Sequence, residues 1–355
     1  MPKLNWREVA SCVCCLRWTN KDYCADGRVL VRPSARALIV RGEKVAMVHS
    51  LKYDYYKFPG GGIEAGEEPV AALLRETAEE AGLRIRPETV RAYGYVHRIQ
   101  RSDHADAGVF LQDNFYYLCE TEPAPIAQRL DDYEADEGFT LEWVAPQDAI
   151  HVNRSRDHGP ACPLMLEREA RVLELLMHEG LLPCPDTPFL DIDALSARFA
   201  VRRLFAPDAE LFCALAEKNT TYYRYHNSAP TRASFLEGLS ALPPGAAATD
   251  KYYLGFFDGT RLVALCDLVL GYPNRGTAFI GLFMLEQAYQ GKGVGSAIIS
   301  NCAAYLRRRG FARLRLAVDH GNPQSLGFWM KNGFARTGEV YPNDLSAYLP
   351  MECPL

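Results

Sequence analysis

Apolar and polar positions change period several times along the chain. Ala37-Leu38-Ile39-Val40, a polar turn at Arg41-Gly42-Glu43-Lys44 and then Val45-Ala46-Met47-Val48 predict a β-hairpin. After three adjacent glycines, Gly60 to Gly62, the period lengthens and predicts a helix over 69–81, closed by Gly82. Strands are predicted at 93–96, 114–119 and 140–144. A helix over 164–178 carries Leu166, Ala170, Val172, Leu173, Leu176 and Met177 on one stripe. Pro183, Pro185 and Pro188 then break any helix or ladder, so a domain boundary is placed there. The second half starts afresh, with helices at 208–218 and 232–239 and strands at 252–257, 261–270 and 277–285. A glycine-rich turn follows, then a helix to 309, a strand at 313–318, a helix at 322–331 and two last strands. The pattern is α/β (α+β). It divides into a cysteine-rich N-terminal segment (1–34), a first domain (35–183), a proline-rich linker (184–197) and a second domain (198–355).

Composition adds boundaries to that picture. The chain has 355 residues, 48% hydrophobic and 23% charged, which suits about two globular domains. A net charge of -5 gives no footprint for nucleic acid or an anionic membrane. No apolar run approaches the ~20 residues of a membrane helix, and the stretch from Val9 to Leu16 is too short and broken for a signal peptide. Eleven scattered cysteines, mostly in apolar contexts such as Cys119, Cys213, Cys266 and Cys302, suit reduced thiols in a cytoplasmic protein. Cys12, Cys14, Cys15 and Cys24 cluster, but without the paired CxxC knuckles of a structural zinc site, and read as a zinc site or a bland tail.

The first candidate chemistry is FPGGGIEAGEEPVAALLRETAEEAGL, Phe58 to Leu83. At about 100° per residue, Glu76, Glu79 and Glu80 fall within one arc of about 100°, with Val70, Leu74, Ala78 and Ala81 opposite and able to face a core. Arg75 stands one turn before Glu79. Three such carboxylates repel one another, and a divalent cation removes that penalty. A solvated acidic helix face is the alternative. The spacing of Gly61, Glu67, Arg75, Glu76, Glu79, Glu80, Gly82 and Leu83 decides against it. They meet eight of nine fixed positions of G-x5-E-x7-R-E-U-x-E-E-x-G-U, with Thr77 at the aliphatic position. This resembles the Nudix hydrolase box.

The resemblance covers about 35–182 and implies an α/β/α sandwich with a mixed sheet. It implies Glu76, Glu79 and Glu80 as ligands of Mg²⁺ or Mn²⁺. Glu79, Glu80 and Glu67 would be catalytic, Glu67 as a further ligand or an aid to water activation. Arg75 would orient the carboxylates. The implied reaction is hydrolysis of a nucleoside diphosphate linked to another moiety. Glu134, Glu137 and Glu142 are unranked candidates for the general base. Tyr53, Tyr55 and Tyr56 serve either base stacking or strand packing.

The second candidate is AYQGKGVGSAII, a glycine turn that opens a helix after a strand. Amides at such a helix start suit a pyrophosphate. No Gly-Lys-Ser/Thr ends the turn, which excludes a P-loop. This turn, with Asn322-Pro323-Gln324-Ser325 and then Phe328-Trp329-x-Lys331-x-Gly333-Phe334, resembles the GNAT N-acetyltransferases over about 198–355. The resemblance implies a mixed-sheet acyltransferase fold that takes acetyl-CoA and an amine acceptor. Gly291, Lys292, Gly293, Val294, Gly295 and Ser296 would grip the CoA pyrophosphate, with Gln290 opening the motif. The backbone around Phe283 and Leu285 would pair with pantetheine, and Asn322 would lie near the cofactor. Trp329 stands where members often carry a tyrosine acid, and indole is no useful proton donor. The second half is therefore either an acetyltransferase or an acyl-CoA-binding regulatory module. Glu286 is a base candidate or an exposed loop glutamate.

Overall fold

The computed structural model describes residues 28–102, 108–184, 189–225, 230–342 and 347–355, and the backbone of 14–19. Cys12 and Cys24, and the side chains of Cys14 and Cys15, lie outside the described residues, and with them the zinc alternative. The chain divides into two compact units, one built of 1–153 and 158–184, the other of 154–157 and 185–355.

The first unit contains β1 (Cys14–Thr19), β2 (Val29–Val31), β3 (Ser34–Leu38), β4 (Val40–Arg41), β5 (Lys44–Ser50), β6 (Tyr55–Lys57) and β7 (Gly60–Gly62). They are followed by α1 (Pro69–Ala81), β8 (Arg91–Arg101), β9 (Val109–Leu118), α2 (Asp132–Glu137), β10 (Phe139–Val144), α3 (Pro146–Ser155) and α4 (Pro163–His178). A mixed sheet runs β1-β8-β9-β3-β7, with β2 beside β9; a smaller antiparallel sheet holds β10-β5-β4, with β6 beside β5. The core lies around Ala35, Ala37, Val48, Leu73, Phe115, Tyr117 and Phe139.

The helix α1 begins at Pro69, whose fixed φ suits a first turn, and ends at Gly82 in the left-handed region. Its buried face overlaps the one the wheel predicts only in part. Ala81 is buried and Leu74 packs against the core, but Leu73, Thr77 and Glu80 are buried too, while Val70 is exposed and Ala78 only half-buried. The stripe rotates because Glu80 finds partners inside, described below. In this unit two helices, α2 and α3, escape sequence reading. The first is six residues of DYEADE, held by a capping box of Asp131 with Glu134 and not by an apolar stripe.

The second unit contains β11 (Ala200–Arg203), α5 (Ala209–Ala216), α6 (Thr220–Tyr223), α7 (Arg232–Ser240), β12 (Lys251–Asp258), β13 (Arg261–Leu270) and β14 (Thr277–Leu285). Then come α8 (Val294–Arg308), β15 (Arg313–Asp319), α9 (Pro323–Lys331), β16 (Ala335–Arg336), β17 (Tyr341–Pro342) and β18 (Ala347–Pro354). One sheet runs β11-β12-β13-β14-β15-β18-β16. Alternate residues of β12 to β14 feed two cores. Tyr252, Leu254, Cys266 and Ile280 meet Ile298, Cys302 and Leu306 of α8 on one face. Tyr253, Leu265 and Met284 meet Phe212 and Phe235 of α5 and α7 on the other. The thiols of Cys119, Cys266 and Cys302 are buried, and burial pushes Cys119 and Cys302 up to about 12. They are packing groups, not nucleophiles.

Candidate active sites

In the first unit the three glycines form β7, the edge strand against which α1 lies. Gly60 has φ 127, and an added methyl would strike the carbonyl of Ala35 on β3. An added methyl on Gly61 would overlap the Glu76 carboxylate, so the absence of a side chain there is what lets Glu76 reach the strand.

Arg75 organises three carboxylates. Its Nε and Nη2 donate to the two oxygens of Glu67 at 3.0 and 2.9 Å, a bidentate pair. Its Nη1 donates to Glu76 Oε1 at 2.8 Å and, one turn on, to Glu79 Oε2 at 3.4 Å. Glu67 Oε2 also accepts from the Glu64 amide at 3.0 Å. The hydrogen bonds from Arg75 hold the Glu67 carboxyl below its ordinary value, against partial burial. Burial pushes Glu76 up, more than Arg75 pulls it down.

Glu80 is turned the other way. Its side chain is 2% exposed, paired with Lys57 of β6, and its Oε2 accepts from the Gly60 amide at 3.0 Å. So the structure brings Glu67, Glu76 and Glu79 together around Arg75 and sets Glu80 beneath them as a tie between helix and glycine strand. The remaining oxygens, Glu76 Oε2 and Glu79 Oε1, have no partner among the described residues. They are hard donors of the kind Mg²⁺ or Mn²⁺ takes. No three His, Cys, Asp or Glu side chains form a ready metal cage among the described residues. That matches Mg²⁺ practice, which uses one or two carboxylates and completes the shell with water and substrate phosphate.

The downstream glutamates are each engaged. Glu134 accepts from the Asp131 amide at 3.0 Å and Tyr133 Oη at 2.9 Å. Glu137 accepts from Ser50 Oγ at 2.9 Å and Tyr55 Oη at 2.8 Å. Glu142 meets His49 Nδ1 at 2.8 Å and accepts from Tyr56 Oη at 2.9 Å. Tyr55 and Tyr56 are buried, and Tyr56 stacks on His49 with ring centres 4.3 Å apart, so both pack within the unit and offer no free face to a base.

In the second unit, Gly291 and Gly293 take φ of 71 and 77, and α8 starts from Gly293. A cavity of about 320 Å³ opens in front of that start. Phe283, Leu285, Gln290, Gly291, Gly293, Gly295, Ser296 and Asn322 all line it. Lys292 is exposed and Val294 turns into the core, so those two contribute at most backbone. Asn322 caps α9 by accepting from the Ser325 amide at 3.0 Å. Gln290 Nε2 donates to the Leu285 carbonyl at 3.0 Å and to Asn219 Oδ1 at 2.8 Å, which fixes the turn to β14. Trp329 is buried, edge-on to Phe283, Phe328 and Phe334.

Glu286 is neither a poised base nor an exposed loop residue. It is 5% exposed, pairs with Arg261 at 3.0 Å and Lys218 at 3.5 Å, and accepts from the Ala288 amide at 2.9 Å. Burial works to raise it, but these donors together hold it below its ordinary value. Sequence reading missed Lys57 and the other wall of the cavity, Lys218 to Tyr222. A lysine inside an otherwise apolar strand was the available signal for the first. The turn into α6 at 218–222 carries no motif.

Residues 30–163 match the NUDIX domain family, and residues 212–334 match the acetyltransferase (GNAT) family. The human diphosphoinositol polyphosphate phosphohydrolase 3-alpha is 34% identical over 131 residues, covering 36% of this chain and 70% of that protein. The rat diphosphoinositol polyphosphate phosphohydrolase 2 is 30% identical over 129 residues, covering 36% of this chain and 62% of that protein. Among solved structures, an acetyltransferase from Thermus thermophilus is 22% identical with a TM-score of 0.37, covering 44% of this chain and 97% of that chain. No helix among the described residues is long and apolar enough to cross a membrane. The chain thus belongs to the NUDIX family through its first half, and residues 212–334 of its second half match the GNAT acetyltransferase family.

Proposed function

We propose that the first half hydrolyses a phosphoanhydride bond in a small diphosphate compound, using Mg²⁺ or Mn²⁺, and that the second half transfers acetyl from acetyl-CoA to an amine. The observation that carries the first part is the Arg75 fork, which aligns Glu76 and Glu79 beside the side-chain-free Gly61. When bound, the cation neutralises the diphosphate and lowers the pKa of the attacking water. Glu76 and Glu79 would hold it; Glu80 would reach it only by giving up Lys57. Glu67, locked by Arg75 and the Glu64 amide, keeps the fork in place. Arg75 has every donor on the carboxylates or the Gly62 carbonyl and orients without touching substrate.

Two substrate classes are to be separated. The box implies nucleoside diphosphate derivatives, whereas the curated relatives are named for diphosphoinositol polyphosphates. A panel containing both, with phosphate or nucleoside monophosphate release followed against Mg²⁺, distinguishes them. Loss of the activity in Glu79→Gln is expected; turnover of neither class by the wild type would overturn the proposal.

For the second half, the cavity at the α8 start supports CoA binding. One observation favours the alternative of a regulatory CoA-binding module: the cavity wall contains no Asp or Glu, and Trp329 replaces the usual acid. Tight acetyl-CoA binding without release of free thiol on an amine panel would establish that alternative.

A further inference from the structure

The strands β14 and β15 pair only from Thr277↔Arg313 to Ile280↔Leu316, although β14 continues to Leu285 and β15 to Asp319. Past Ile280 the two part and the sheet splits. At that fork β14 carries a bulge: Asp267 of β13 faces Leu282 and Leu268 faces Ile280, which leaves Gly281 unpaired. Phe283 to Leu285, on the far side of the fork, line the cavity. A thioester running along Leu285 to Phe283 from the α8 start would point towards Gly281, which lies just beyond the residues that line the cavity.

Asp267 stands over that glycine. A methyl added to Gly281 would lie 2.6 Å from Asp267 Oδ2, so the missing side chain leaves this oxygen room. The other oxygen, Oδ1, accepts from Lys251 Nζ at 2.7 Å. Asp267 is 15% exposed and Lys251 6%. Oδ2 has no partner among the described residues. Asp267 lies two residues beyond Leu265 on the same face of β13. Leu265 packs with Met284 and, at the margin of that cluster, Tyr222, both of which line the cavity. Among the described residues, the titratable groups that interact with it are Lys251 and Tyr253 of β12 and the adjoining Cys266 thiol; the Tyr253 phenol, raised chiefly by burial, also feels Asp267. Burial raises the Asp267 carboxyl, and Lys251 opposes that.

We infer that Asp267 Oδ2, unpaired beside the side-chain-free bulge at Gly281, binds the acceptor ammonium and takes its proton. This rests on the acetyl-transfer reading of the second half. The ammonium gives one proton to the Asp267 carboxylate and becomes a neutral amine. Its nitrogen attacks the thioester carbonyl carbon; the C–N bond forms and the C–S bond breaks. The CoA thiolate takes the second proton from that nitrogen, and Asp267 returns the first to solvent. No tyrosine at position 329 is needed, because the proton for the thiolate comes from the acceptor itself. A carboxylate was absent from the cavity wall because it lies one strand further in, behind a glycine.

The test uses the full chain, acetyl-CoA, and thiol release with two probe sets: alkylammonium acceptors (spermidine, tyramine) and 4-methoxyaniline, which is already neutral at pH 7. For Asp267→Asn, which keeps the acceptor for Lys251, kcat is expected to fall about 100-fold or more with the alkylammonium that the wild type uses. The loss should shrink as pH approaches the amine's own pKa and be under about 5-fold with 4-methoxyaniline, with acetyl-CoA affinity unchanged. Gly281→Ala, which crowds Oδ2 but leaves the Lys251 pair, should lower the same kcat. Equal loss with both probe sets, or wild-type rates in Asp267→Asn, overturns the inference alone. Acetyl-CoA binding without turnover of any amine by the wild type overturns the acetyl-transfer reading and the inference with it.

Discussion

Lys57→Met isolates the buried pair that the glycine strand and the helix share. Lys57 and Glu80 are 8% and 2% exposed, and Glu80 otherwise keeps only the Gly60 amide. Removing the lysine leaves a carboxylate nearly dry with one hydrogen bond. Breaking a buried pair from one side costs about 3–5 kcal/mol, whereas replacing both partners by apolar groups is often close to neutral. At 1.36 kcal/mol per tenfold, about 3 kcal/mol is roughly a 150-fold loss of protection. Native-state hydrogen exchange on the full chain reads this by element, so peptides of β3, β7 and α1 should lose protection while those of β12 to β14 serve as the internal reference. Lys57→Met with Glu80→Leu should regain most of the loss. A change below about 1 kcal/mol in Lys57→Met would refute the reasoning, since a surface-like pair is worth no more than that. If Glu80 turns to the cation during turnover, added Mg²⁺ should restore part of the lost protection in Lys57→Met but none in the double variant.

Glu79→Gln, at a side chain 40% exposed, should abolish Mg²⁺-dependent hydrolysis yet leave the melting temperature within about 1 °C, checked by phosphate release and a thermal melt. Cation binding needs the ionised form of Glu76, and burial raises that carboxyl; the acid limb of hydrolysis should therefore lie above the ordinary carboxylate range and move down at higher Mg²⁺, read from the pH profile. Gly61→Ala forces the Glu76 carboxylate off the strand and should lower kcat for hydrolysis by about 100-fold, as expected for misplaced positioning groups. Gln290→Ala removes the ties to Leu285 and Asn219 and should weaken acetyl-CoA by about 3- to 30-fold, measured by calorimetry.

The helix over 69–81 was legible because proline, left-handed glycine and spacing agree at its ends; its facing was only partly so. The wheel treats Glu76, Glu79 and Glu80 as one polar arc, yet about 40° of rotation separates Glu76 from Glu80, enough to place one at the cleft and the other in the core once Lys57 is opposite. That lysine comes from β6, and nothing in the periodicity of α1 announces it. The same holds for Asn219, which meets Gln290 over 71 positions of sequence. The turn from Gln290 to Ser296 is readable as a backbone motif, because its requirement is local: glycine at the two positions of positive φ. The cavity wall at 218–222 has no such local requirement.

Carboxylates in this chain show why residue type alone underdetermines chemistry. Glu67, Glu80, Glu286 and Asp267 are each held by a cation, and each is largely hidden from water. What separates them is the second oxygen. In Glu67 it is taken by the same arginine and an amide, in Glu80 by the Gly60 amide, and in Glu286 the Ala288 amide takes it. Such groups are full, and a proton or ligand can enter only by displacing a partner. Asp267 keeps one oxygen open, beside a glycine whose lack of a side chain opens space and next to a forked strand pair. The cost of burying its charge is offset by Lys251 on one side only. A carboxylate so arranged is stabilised further when an ammonium arrives on the other side, which is the condition an acceptor site must meet.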